Sequence, residues 1–371
     1  MAISDKIFSS TIKNQVSLDR YSYGLARQIQ RLLTEAQQEI VAAIAKNDPT
    51  MPSMTKWKAK RLSDLNDQIS QIIDSKFKDI KKVSKAELAG LAKIQSEKIV
   101  EGFNKSIGVD IFGVTLTPEG MKSIVENSMI NGRVIGDWWD KQKDDVKSKL
   151  QAQMTAGTNA IQIGLVKGES VGELISRIRG TRLSPGIMSI TKREATALAR
   201  TSVMQVANNV RLETYKENAD VLEGIEIIVT LDKATCMRCA VYDGKRFDME
   251  GNPIDHSLPY PELPLHFNCR CTTAPFTKSY SELIGSKSPL KKSLIRDMDA
   301  NIPDGERSAM NGPISGGATY DDWLRSQSVQ TQKSILGKGK YELWSENKLG
   351  TVDLVDNSGR PLTLKELSQS I

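Results

Sequence analysis

Apolar residues recur every three or four positions through most of the first half of the chain, so the pattern predicts helices before anything else. Leu25, Ile29, Leu32, Ala36, Ile40 and Ile44 line one face of a helix over residues 20–47. Asp48-Pro49 and Pro52 end it, because proline cannot continue a helix and pushes the residue before it out of the helical region. A second stripe runs through Leu62, Leu65, Ile69, Ile72, Ile73, Phe77 and Ile80. Ser84 with Glu87 matches a capping box and predicts a third helix through Leu88, Leu91, Ile94 and Phe103. Antiparallel packing of these helices is the natural way to bury such stripes.

Further on, Thr117-Pro118-Glu119 reads as a helix start. A long helical pattern begins around Trp138-Trp139 and continues through Val146, Leu150, Met154, Ile161 and Leu165. Adjacent tryptophans point in different directions on a helix, so one belongs to the core and the other to a contact with a neighbouring domain or subunit. Ser170 with Glu173, and Thr191 with Glu194, each match a cap. The second of these helices carries Ala199, Val203, Val206 and Val210. The period then switches: GIEIIVT (224–230) is short and rich in β-branched residues, as a strand would be. Residues 277–318 have no sustained period and read as an extended connector, ending in NGPISGGA. Thr319 caps a helix with Trp323 and Leu324, and Thr363 with Glu366 caps a last short one after the turn at 357–361. No internal repeat is seen at a period of 20–50 residues.

Length adds that 371 residues, at ~150 per domain, allow two or three domains. No apolar run approaches the ~20 residues of a membrane span, and MAISDKIFSS has no signal-peptide core. A reducing cytoplasm, or a particle assembled in one, is the expected compartment. The net charge of +6 is uneven. Residues 1–110 carry 18 Lys and Arg against 13 Asp and Glu, whereas residues 221–276 carry 5 against 8. Lys56, Lys58, Lys60, Lys76, Lys78, Lys81 and Lys82 fit a solvated helix face, with DNA or an acidic partner as the sharper reading.

Composition changes the picture most at residues 231–276, which hold all four cysteines and both histidines. The order is Cys236-x2-Cys239, then, beyond a long loop, His266-x2-Cys269-x-Cys271. Two such clusters across a loop can close a tetrahedral sulfur and nitrogen site, and in a reducing compartment they favour structural zinc over disulfides. Five candidates stand for four positions: Cys236, Cys239, His266 and Cys269 are the preferred set, with Cys271 in place of His266 as the variant. On a strand Cys269 and Cys271 would share a face. Asp232 can brace the knuckle or orient a ligand, or be an ordinary turn residue.

Two enzymatic readings fare unequally. Zinc deaminases need H-x-E and P-C-x-x-C, and neither histidine nor Thr235 fits. Ile254-Asp255-His256, Pro259 and Asn268 are similar to an HNH-type metal-dependent nuclease, although the second pair is CxC and the module is acidic. A zinc ribbon gripping nucleic acid is disfavoured by that same charge.

Ala199-Arg200-Thr201 on a helix, a strand, Asp232-x3-Cys236-x2-Cys239, Asp243-Gly244, a Pro-rich loop and Pro264-x-His266-x2-Cys269-Arg270-Cys271 together resemble the phage Mu protein F-like family of minor head, or head morphogenesis, proteins. The likeness covers about residues 125–276. Tyr320-x2-Trp323-Leu324, Ile335-Leu336-Gly337 and residues 359–364 resemble an appendage found on its members. The resemblance implies a structural virion protein, not an enzyme, near the portal on the capsid interior. It implies portal and capsid proteins as partners, and a part in procapsid assembly and in DNA packaging, retention or ejection. Phage DNA would be met non-specifically through the basic N-terminal half; no membrane and no small-molecule substrate is expected. Read by itself, Arg200 is a candidate to reach an acidic residue near the module, or an ordinary solvated arginine.

The expected fold is α+β and predominantly α: a helical N-terminal half, a small zinc-stapled β module, a flexible connector and a small C-terminal helical appendage. The corresponding segments are a basic helical region (1–115), the head-morphogenesis domain (116–276), the linker (277–318) and the appendage (319–371).

Overall fold

Four long helices give the protein its predominantly helical character: α1 (Ile3–Lys46), α2 (Thr55–Ile107), α4 (Ile135–Val166) and α6 (Ile187–Lys216). The computed structural model describes residues 3–46, 55–107, 110, 112–166, 171–278, 306–346, 349–356 and 359–369. The proline stop at 47–54, the cap at Ser170, part of the turn at 357–361 and residues 279–305 of the connector lie outside them. So do the side chains of Lys56, Lys58, Lys60, Leu62, Met154, Ile161 and Leu165. Among the described residues no helix is long and apolar enough to cross a membrane. The chain divides into two units, residues 20–91 with 122–203, and residues 1–19 with 92–121 and 204–371.

The first unit is almost wholly helical. Its core takes Leu25, Ile29, Ala36, Ile40 and Ile44 from α1, and Leu65, Ile69, Ile73, Phe77 and Ile80 from α2, as the stripes predict. Leu33 replaces Leu32 as the fully buried residue. The break expected at Ser84 does not occur, because α2 runs through it. The two side chains that match a capping box are taken up by tertiary bonds instead. Ser84 Oγ accepts from Trp139 Nε1 at 3.2 Å, and the Glu87 carboxylate accepts from Tyr21 Oη and, at 3.0 Å, from Gln28 Nε2. Helix α3 (Pro118–Asn127) leads into the small β1–β2 hairpin (Met129–Ile130 and Arg133–Val134), then α4 (Ile135–Val166) and α5 (Val171–Arg179). Trp139 is the core member of the tryptophan pair. Trp138 donates from Nε1 to Ile130 O at 2.8 Å and carries Arg133 over its ring. Helix α6 starts four residues before the expected cap, and Thr191 lies inside it, its hydroxyl bonded to Ile187 O.

The second unit contains the sheet. Strands β3 (Leu222–Ile228), β4 (Arg246–Asp248), β5 (Pro253–Ile254) and β6 (Thr272–Thr277) form an antiparallel sheet in the order β5-β4-β3-β6. Central β3 pairs Ile225 with Phe247 on one side and with Pro275 on the other. A bulge at Leu222/Gly224 bends it, and a Cβ on Gly224 would meet Phe247 O at 2.3 Å, so only glycine fits that approach. A one-turn helix, α7 (Met237–Ala240), sits between β3 and β4. Phe103 stacks on Tyr215 of α6 and meets Phe112 at a tilt.

The end of the stretch read as an extended connector is ordered: β7 (Glu306–Ala309) and β8 (Gly312–Ser315) form a hairpin. Helices α8 (Tyr320–Arg325), α9 (Val329–Leu336), α10 (Lys338–Ser345) and α11 (Leu364–Gln369) follow. The predicted caps at Thr319 and Thr363 both form, Thr319 with Asp322 and Thr363 with Glu366. These helices bury Tyr320, Trp323, Leu324, Leu336, Trp344, Leu354 and Leu367 in one cluster with Leu231 and Ala240 of the cysteine module. Arg307 seals the join: its guanidinium pairs with Asp243, and it also donates to Val229 O and Ala318 O. The Asp243 carboxylate accepts in addition from Val229 N and Tyr320 N.

Both partners of that ion pair are almost fully buried, so removing one strands the other in a dry site. Arg307→Ala or Asp243→Asn should cost about 3–5 kcal/mol in urea unfolding.

Candidate metal centre

Cys236 caps the N-terminus of α7, and the turn closes through Cys239 N and Ala240 N, both donating to Cys236 O. That tight turn presents the two thiols of a C-x-x-C pair on one side. The second arm comes back from the Pro-rich loop, where His266 O accepts from Cys269 N and Asn268 takes φ +62. Residues 269–271 are the lead-in to β6 rather than part of it, but the expected alternation holds. Cys269 and Cys271 are buried, while Arg270 between them turns to Asp232.

The five candidates come together as two overlapping triads, Cys236-Cys239-His266 and Cys239-Cys269-Cys271, each with its donor atoms within 4.8 Å of one another. Cys239 belongs to both. His266 Nε2 lies 3.2 Å from Cys236 Sγ and 3.1 Å from Cys239 Sγ, and Cys239 Sγ lies 3.8 Å from Cys269 Sγ. A tetrahedral ion with bonds of ~2.3 Å to sulfur sets sulfurs roughly 3.8 Å apart, so this spacing is that of two ligands on one centre. The imidazole is turned the same way. Its Nδ1 faces Phe267 O at 2.8 Å, which fixes a proton there and leaves Nε2 toward the sulfurs. The cluster can hold a metal ion.

Proton sharing follows from the crowding. Bonding to Cys239, ahead of that to His266, pulls the Cys236 thiol down to about 4, and bonding to Cys236 pushes His266 up to about 9. Bonds to Cys236 and then to Cys269 and Cys271 drive Cys239 the other way. Cys269 falls well below its ordinary value, first through Cys239. The shifts alternate in direction, Cys236 and Cys269 down and Cys239 and Cys271 up, because this many sulfurs cannot all be charged so close together without a cation.

The bracing of the site runs through Asp232. Its carboxylate forms a two-pronged pair with Arg270, at 2.5 and 2.7 Å, and accepts from Ala234 N at 2.9 Å. The residue four before the knuckle is thereby tied to the residue between the two later cysteines. Gln15 of α1 adds a bond to Arg270 O at 3.1 Å, and Asn208 of α6 one to Cys271 O at 3.2 Å. Sequence reasoning finds Asp232 as a brace and misses its partner Arg270, although the place of that arginine between two inward cysteines on extended chain marks it. His256 stands elsewhere, with Nε2 bonded to Arg246 O at 2.8 Å and its ring edge-on to Phe247. Arg200 lies over the Tyr23 ring, 4.2 Å from its centroid.

No curated protein and no solved structure matches the chain. All five candidate ligands, β3, and the helix–strand lead-in from residue 199 fall inside one stretch that does match a family. Residues 158–274 match the sequence model described as phage Mu protein F like protein, and this supports the family resemblance carried by the two cysteine clusters.

Proposed function

We propose that the protein is a phage head morphogenesis protein whose cysteine module is a structural zinc site. The observation that carries the reading is the family match over residues 158–274, which takes in both cysteine clusters. In the finer reading it is a minor virion component near the portal on the capsid interior, made in the host cytoplasm, that meets portal and capsid subunits during procapsid assembly. Zinc, held by Cys236, Cys239 and Cys269 with His266 or Cys271, supplies a tetrahedral cross-link. With five donors in two triads that share Cys239, a fourth protein ligand is at hand to close a tetrahedron against a reactive water, which favours a staple over an active site. The Asp232–Arg270 brace supports the same role, since it holds the two arms in register.

Contact with packaged DNA is supported by the basic surplus of residues 1–110 and by the exposure of Lys78 and Lys82. It is narrower than the lysine pattern suggests. Lys76 is held between Glu35 and Glu39, Lys81 pairs with Asp140 and Lys85 with Glu126. Phosphate contact without base readout fits two such exposed lysines, through counterion release.

Three outcomes are expected. Elemental analysis of the purified protein should return one zinc per chain. Cys239→Ser, which enters both triads, should lose it and the thermal stability it lends, whereas His256→Ala should keep it; a metal-free wild-type protein would end the zinc reading. The wild-type protein should co-sediment with portal-containing procapsids, and absence from them would end the head-protein reading. Lys78→Glu with Lys82→Glu should flatten the salt dependence of non-specific DNA binding by about 2 in log–log slope, and an unchanged slope would exclude that face.

A further inference from the structure

Arg211 lies one residue after Val210 on α6 and is only 1% exposed, in a helix whose other buried residues are apolar or hydroxylic apart from Asn208. Its Nη1 donates to Asn208 Oδ1 at 3.0 Å and to Thr272 Oγ1. Among the described residues its Nη2 has no hydrogen-bond partner, and no carboxylate pairs with the guanidinium. Burial pushes this guanidinium below its ordinary range. A buried cation in this condition is costly unless something negative completes it.

Beside it is a cavity of about 270 Å³. Ser10, Thr11 and Lys13 of α1 line it together with Lys98 and Lys105 of α2 and Arg211. Four cationic side chains face it against the single carboxylate of Glu101. Lys13, Lys98 and Lys105 are exposed, so they stand at the mouth, while Arg211 and Thr11 are buried at the floor. Gly102 lies on its wall and lets α1 approach closely, since a Cβ there would come within 2.9 Å of Ser10 Oγ. We propose that this cavity is an oxyanion site that takes a phosphate group, with Arg211 Nη2 as the donor at its base.

The choice of phosphate over carboxylate follows from geometry. A planar carboxylate is best gripped by both terminal nitrogens of the arginine fork, and Nη1 is already spent on Asn208 and Thr272. A tetrahedral phosphate accepts from one nitrogen below and from hydroxyls and lysines around it. None of the residues that bind it is among the candidate metal ligands. Arg211 holds Asn208, which bonds Cys271 O, so the lysine and Gly102 variants, which touch neither, are the ones that separate the two sites.

The test is calorimetric titration of the full chain with inorganic phosphate, ionic strength held constant with sodium chloride. Saturable binding at one site is expected. Lys13→Ala with Lys98→Ala, both at exposed positions, should weaken it by at least about tenfold. Gly102→Leu, which puts a side chain into the cavity, should abolish it, and so should Arg211→Met; circular dichroism checks each fold, and if Arg211→Met is unfolded the other variants decide. A short single-stranded oligonucleotide that displaces the phosphate identifies the nucleic-acid backbone as its source. One that leaves it bound identifies a free oxyanion, and either result supports the site. No saturable binding, or binding unchanged in the lysine pair and in Gly102→Leu, overturns it.

Discussion

Four sulfurs and an imidazole in a space a few ångströms wide are held against their own repulsion and desolvation, and much of the second unit is arranged to keep them there. The two arms are separated by 26 residues of chain, so something other than sequence proximity must align them. What aligns them is a set of unlike contacts. The helical turn at Cys236 aims the first pair, β6 anchors the second, and Asp232 clamps Arg270 between them. Helices α1 and α6 reach in through Gln15 and Asn208, side chains that hold backbone carbonyls beside the cysteines. An ion bound there adds its energy to a framework already shaped for it, on the scale of about 10 kcal/mol found for small zinc peptides.

The second constraint is hydrophobic. Leu231 and Ala240 border the knuckle, and their apolar neighbours come from Tyr320, Trp323, Leu336, Trp344 and Leu367. A polar insertion makes this junction specific. Asp243, inside the junction, satisfies Arg307, Val229 N and Tyr320 N at once, so the hairpin and the C-terminal helices dock in one orientation. The C-terminal segment is therefore part of the core of the module rather than a decoration on it.

Elements with local signals were legible. The stripes of α1 and α2, the caps at Thr319 and Thr363, and the strand before the knuckle all follow from spacing alone, and so does the convergence of the five sulfur and nitrogen donors. Ser84-x-x-Glu87 shows how a local signal is overruled: the same two side chains were worth more to Trp139, Tyr21 and Gln28 than to a helix end. The Asp243–Arg307 pair spans 64 residues, and Arg307 sits in a stretch without period, so nothing nearby in the sequence could announce it. Arg211 left a faint trace, a charge directly after Val210 that is set apart from the helix's other charges only once the helix face is known.

The shared core has a consequence for how the chain matures. During synthesis the knuckle, β3 and β6 leave the ribosome well before residues 320–367 do, and until those arrive Leu231 and Ala240 lack the aromatic side that covers them. The nascent module must wait with an open apolar flank, and its closure joins residues more than 80 positions apart, which places it among the late, slow steps of folding.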